Sequence, residues 1–143
     1  MGCYNTCVVP APVDQVWNSL RDFHNFTWAG SVIEKVTIVG KCASDQIGAK
    51  RILNDAFHET LLALDDQSRD LKYSIDNGPG PLSQDKVRGY IGHIRVFPIT
   101  DRNHTFVEWS SSWQDSQGGV REFCDPIYHA LLAALIQHFS GSR

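Results

Sequence analysis

Apolar positions along the chain follow two periods, and the switches between them mark out the elements. Cys3 to Val9 is short and half apolar, reads as a strand, and ends at Pro10-Ala11-Pro12. Proline suits the first turn of a helix, where its missing N–H would be unpaired anyway. Val13, Val16, Trp17 and Leu20 follow at helical spacing, with Asp14 placed to complement the helix dipole. Asp22 to Gly30 carries Phe23, Phe26 and Trp28 and reads as a second short helix or turn.

From Ser31 the period becomes two. Val32 to Val39 is rich in β-branched residues and stops at Gly40. Gly48 to Leu53 and Phe57 to Leu64 read as two more strands, with Asn54-Asp55-Ala56 as a three-residue turn between them. The polar run Asp65 to Asp70 precedes a strand from Leu71 to Ile75. Asp76 to Ser83 holds Gly78, Pro79, Gly80 and Pro81, which forbid regular structure and predict a loop. Gly89 to Pro98 and Thr105 to Gln114 are the longest strands. The last segment is helical, either capped by Asp125 with Pro126 at its first position or starting earlier, near Val120. Ile127, Leu131, Leu135, Ile136 and Phe139 form its apolar stripe.

Strands joined by short turns run antiparallel, and a strongly twisted sheet curls. The long C-terminal helix is the one element large enough to cover the concave face. The expected fold is therefore α+β: a helix-grip of seven curved antiparallel strands around that helix, with two short N-terminal helices. A chain of 143 residues fits a single domain, expected over residues 1–143.

Composition narrows the partners. With a net charge of −3 and no run of Lys or Arg at either end, the chain offers no basic face, so nucleic acid is not an expected partner. No stretch approaches the ~20 apolar residues that span a bilayer. The N-terminal Met1-Gly2-Cys3-Tyr4-Asn5-Thr6 lacks a signal-peptide pattern, so a cytoplasmic location is expected. Cys3, Cys7, Cys42 and Cys124 contain no CxxC pair, and the histidines form no HExxH. Neither a metal nor a cofactor is expected.

The run Pro10-Ala11-Pro12, Val16-Trp17, Leu20, Asp22-Phe23 and Trp28 resembles the opening of the START-like, Bet v 1-like superfamily (SRPBCC), and more closely its bacterial polyketide cyclase/dehydrase-like branch. Gly48 with Arg51, Glu59 with Leu61 and Asp65, Tyr73, Gly80-Pro81-Leu82, Tyr90, and Val107 with Trp109 extend the resemblance over nearly the whole chain. Ser83 departs from it, standing where the family often has a second proline after Leu82. The resemblance implies a cavity between sheet and helix that holds a small apolar or amphipathic ligand of lipid, polyketide or phenolic type.

A symmetric turn at Asn54-Asp55-Ala56 makes Arg51 and Glu59 direct cross-strand neighbours on one face. Leu61 and Leu62 are both apolar, so the alternation leaves that face open between cavity and solvent. The resemblance turns the pair inward, where Arg51 would offer a planar fork of donors and Glu59 a base if burial raised its pKa. On the solvent side it would be a salt bridge worth well under ~1 kcal/mol. Tyr73, Tyr90, Trp109, Trp113, Phe123 and Tyr128 are aromatics suited to a mostly apolar pocket with a few polar handles, or to plain core packing. Trp17 and Phe23 read as core. Gly80, Pro81 and Leu82 form a candidate gate over the cavity mouth, or a proline-stiffened turn. Three functions fit: a ligand-binding module; a cyclase or dehydratase using Arg51, Glu59 and the tyrosines; and a protein-interaction domain whose cavity is collapsed.

Overall fold

The computed structural model describes residues 1–140. Strand β1 (Gly2–Val9) leads into helix α1 (Val13–Leu20), which buries Val16, Trp17 and Leu20. Pro12 is extended, with φ −61°, and stands at the helix N-cap, where it needs no N–H. A single 3-10 turn at Thr27–Ala29 buries Trp28. Then come β2 (Val36–Val39), β3 (Lys50–Leu53), β4 (Phe57–Asp65) and β5 (Asp70–Asn77). A second 3-10 turn, Gly80–Leu82, separates these from β6 (Val87–Arg88), β7 (Ile91–Ile99), β8 (His104–Ser112) and β9 (Asp115–Ser116). Helix α2 (Val120–Ser140) closes the described chain.

Seven strands make one antiparallel sheet in the order β1-β8-β7-β5-β4-β3-β2. Neighbours in sequence are neighbours in space except at β1, which returns to pair with β8 and brings the N-terminus beside the last long strand. Two register shifts in β4, between His58 and Glu59 and between Leu61 and Ala63, bend the sheet where it must curl. Helix α2 lies in the concavity, and Leu131, Leu132 and Leu135 join Val107, Leu61 and Leu71 in one continuous core. The α+β helix-grip expected from the pattern is the observed fold. Trp17 and Phe23 are core, at 4% and 0% exposure.

Several strand bounds shift from those expected, β3 starting at Lys50 and β7 at Ile91. The strand expected from Val32 begins at Val36, because the Asn54 side chain takes over the preceding backbone: its Oδ1 accepts from the Glu34 and Lys35 amides and its Nδ2 donates to the Val32 carbonyl. Helix α2 begins at Val120, the earlier of the two expected starts, with the Phe123 amide already donating to the Gly119 carbonyl. Pro126 therefore lies inside the helix, where it supplies no N–H to the Glu122 carbonyl. Asp125 instead accepts a 2.8 Å bond from Asn5 of β1. The pair β6–β9 is a short separate ribbon that the pattern does not signal.

Candidate functional site

The site starts from a hairpin. Asn54 and Asp55 both adopt left-handed φ, 54° and 55°, which these residue types tolerate better than most. The Ala56 amide donates to the Leu53 carbonyl, and this turn sets Arg51 opposite Glu59. Alternation along β3 sends Lys50 outward and Arg51 inward, where both members of the pair are only 5% exposed.

Arg51 is held from several sides. Its Nε and Nη2 donate to Glu59 Oε1 at 2.8 and 2.6 Å, and its Nη1 donates to the Phe23 carbonyl at 2.7 Å. The guanidinium carbon lies 3.6 Å from the centre of the Phe23 ring, 4.6 Å from Phe26 and 5.3 Å from Tyr73. Aromatic rings thus contact the cation, and of its five N–H groups two remain unspent among the described residues. Both carboxylate bonds fall on Oε1, and no described group bonds Glu59 Oε2. Burial pushes the Glu59 carboxyl above its ordinary range, against the opposing pull of the Arg51 charge and hydrogen bonds.

A tyrosine cluster stands next to the pair. Tyr73 on β5 faces Gly92 on β7, and the missing side chain lets the ring lie on the β7 backbone. Its hydroxyl accepts a 2.9 Å bond from Trp109 Nε1. The hydroxyls of Tyr90 and Tyr128 bond to each other, joining the residue just before β7 to α2. Burial raises all three phenols well above their ordinary value of 10, so they act as neutral donors and acceptors. Burial likewise pushes the Cys124 thiol up to about 11, which leaves no thiolate for nucleophilic chemistry at neutral pH.

These groups enclose a narrow cavity between sheet and helix. About 40 Å³ of it admits the centre of a water molecule; at ~10–15 Å³ each, that is room for roughly three waters. Arg51, Glu59, Tyr73, Tyr90, Trp109 and Tyr128 all line it. Leu82, the last residue of the candidate gate, is 1% exposed and lines it too. Gly80, in left-handed φ, and Pro81 form the turn behind Leu82. Trp113 and Phe123 stand outside the lining. Trp113 stacks on Tyr90 at 5.6 Å between ring centres, and Phe123 is half-buried where any side chain at Gly80 would meet its ring.

The pattern along the chain did not single out Phe26, Ile33, Leu53, Phe57, Ile75 or Cys124 as lining. The apolar alternation of β3 to β5 carries the signal for Leu53, Phe57 and Ile75, while nothing local marks the others. Half-buried Phe57, Ile75 and Ile127 stand at the mouth. Among the described residues no cluster of three or more His, Cys, Asp or Glu is arranged to hold a metal ion. No described helix is long and apolar enough to cross a membrane.

The family described as polyketide cyclase / dehydrase and lipid transport matches residues 4–139. A protein of Nitrosospira multiformis has a solved structure that superposes with a TM-score of 0.94 at 41% identity, covering 100% of this chain and 99% of that one. A Thermobifida fusca protein superposes at 0.80 with 24% identity, over 98% of this chain and 93% of its own. The Bacillus cereus protein XoxI does so at 0.76 with 24% identity, over 96% and 94%. The last two establish likeness of fold alone. No curated protein matches the chain.

Proposed function

The chain belongs to the polyketide cyclase / dehydrase and lipid transport family, and from that premise we propose that it binds a small, largely apolar molecule in the cavity between sheet and α2, anchored at Arg51 and Glu59. One observation carries the reading: a buried ion pair lines an otherwise apolar and aromatic cavity. A buried pair is a poor stabilising device, since apolar residues of the same volume are often as good or better. Its presence at the cavity wall, with two N–H groups and one carboxylate oxygen unspent among the described residues, suits recognition of a polar group on an apolar ligand.

Ligand sites typically measure ~300–1,000 Å³, so a guest must displace side chains at the mouth. Leu82 fits this role, because it rides on a short turn rather than on the sheet. Phe57, Ile75 and Ile127 line the same cavity and are half-buried, so each has one side open to solvent.

A thermal-shift screen against fatty acids, flavonoids, polycyclic phenols and steroids tests the reading. One chemical class is expected to stabilise the protein, by about 2.7 kcal/mol at a hundred times its dissociation constant. Ile127→Trp, which fills the mouth from a half-buried position, is expected to abolish the shift while leaving the unliganded protein folded. If no class shifts the wild type, or Ile127→Trp shifts equally, the cavity is not the binding site and the interior is simply packed.

A second reading is catalytic. The raised carboxyl of Glu59, with Oε2 unbonded, suits proton abstraction from a ligand whose carbonyl Arg51 polarises. Chemical change of a bound compound, lost in Glu59→Gln with affinity kept, would favour it over binding alone.

A further inference from the structure

The charge balance of the cavity restricts its guests further, an inference that rests on the binding reading above. Among the described residues lining it, Arg51 is the one cation and Glu59 the one anion. They are already joined by two hydrogen bonds, and a third ties Arg51 to the Phe23 carbonyl. The cavity wall is therefore neutral as it stands. A carboxylate guest would bring a second negative charge beside Glu59, with no second cation to meet it. At so buried a pair, each 5% exposed, that repulsion is stronger than in bulk water. A hydroxyl or neutral carbonyl meets no such penalty. It can accept from the unspent N–H groups of Arg51, and a hydroxyl can also donate to Glu59 Oε2.

We infer that the cavity selects by charge, taking apolar molecules whose polar group is a neutral hydroxyl or carbonyl and admitting a carboxylate of the same shape only when a proton enters with it.

Glu59 is the group placed to take that proton. From β3, Arg51 faces it. From β5 it meets the Tyr73 phenol, and Asp76 adds negative charge from the end of the same strand. Its neighbour from α2 is the Cys124 thiol, and the Tyr128 phenol lines the same cavity. The segment after α1 contributes Phe26, Ile33 and the backbone and ring of Phe23, none of them titratable. Arg51 alone among these favours the ionised carboxylate, while burial and Asp76 oppose it. Neutralising Glu59 frees both of the Arg51 bonds now made to Oε1, and these can pass to the incoming carboxylate.

A matched pair of probes tests this directly: 2-naphthol, neutral at pH 7.5, and 2-naphthoate, ionised there. Titration calorimetry of the wild-type protein at pH 7.5, in two buffers of different ionisation enthalpy, gives affinity and proton uptake together. Naphthol is expected to bind at least tenfold more tightly, with no proton uptake. Naphthoate is expected to take up close to one proton and to gain affinity as pH falls to 5.5. In Glu59→Gln, where Arg51 keeps a partner oxygen but not its counter-charge, the preference is expected to reverse. Naphthoate binding as tightly as naphthol in the wild type, or without proton uptake, would overturn charge selection and leave the binding reading intact. If neither probe binds, both fall. The wild-type comparison decides even if the variant does not fold.

Discussion

Replacing Arg51 by Met lowers the unfolding free energy by about 3–5 kcal/mol, the cost of leaving one member of a buried pair without its partner. Against a typical total of ~5–15 kcal/mol, this brings the domain close to unfolding. The loss comes from Glu59, which the change strands among Phe26, Tyr73 and the other apolar walls. Replacing both residues, Arg51→Met with Glu59→Leu, removes the stranded charge and is expected to restore most of the stability. Urea denaturation of wild type, single and double variants at pH 7 reads the difference.

The pH dependence has a definite sign. Burial already holds the Glu59 carboxyl above its ordinary 4.5, and loss of Arg51 removes the main influence pulling it down. Between 4.5 and the folded-state pKa, the native protein holds more protons at this site than the unfolded chain does. Stability from this group is thus full below 4.5 and declines as pH rises through that interval. Arg51→Met is expected to show a steeper decline than wild type, and the double variant none from this source. A cost below ~1 kcal/mol, the size of an exposed pair, would show that the two residues are not the buried, mutually dependent unit described above.

The second large effect is expected at Gly92, which stands outside the cavity lining. A Cβ there would lie 2.1 Å from Tyr73 Cζ and 2.5 Å from its hydroxyl oxygen. Tyr73 has little room to yield, being 2% exposed, bonded to Trp109, and packed with its ring centre 6.4 Å from that of Phe23. Overpacking usually costs about 1–3 kcal/mol, and Gly92→Ala is expected at the upper end because the Trp109 bond is lost as well. In a Tyr73→Leu background the same substitution is expected to cost less than about 1 kcal/mol, a non-additivity that isolates the clash. Additive costs in the double variant would mean that the ring does not rest on the β7 backbone.

These residues show how far the chain could be read from its pattern. The Arg51–Glu59 pairing was legible because a short turn at Asn54-Asp55-Ala56 fixes register. The face it occupies was not legible from alternation, and the cause is physical. Burial still alternates there, with Glu59 and Leu61 inward and Leu62 41% exposed, but an apolar residue on the outward face removes the apolar–polar contrast that would have marked it. The grip itself was legible in the order of elements and the length of the last helix. Its start was legible only as two alternatives, because Asp125-Pro126 is a good capping sequence locally, and the helix takes the earlier one at Val120. Gly92 and the Phe23 carbonyl were invisible for a further reason. Each acts through a partner distant in sequence, Tyr73 for the one and Arg51 for the other.

The Arg51 Nε–H is the most direct reporter of ligand binding at the pair, since it sits at the contact between guanidinium and Glu59. Its NMR signal, followed in labelled protein during titration with 2-naphthol, tests whether the cavity is the binding site. The expected result is a saturable shift of that signal, with intermolecular NOEs from the naphthol ring to the methyl groups of Leu82 and Ile127. An unmoved Arg51 signal, or NOEs confined to the exposed outer face at Tyr4 and Val8, would contradict it.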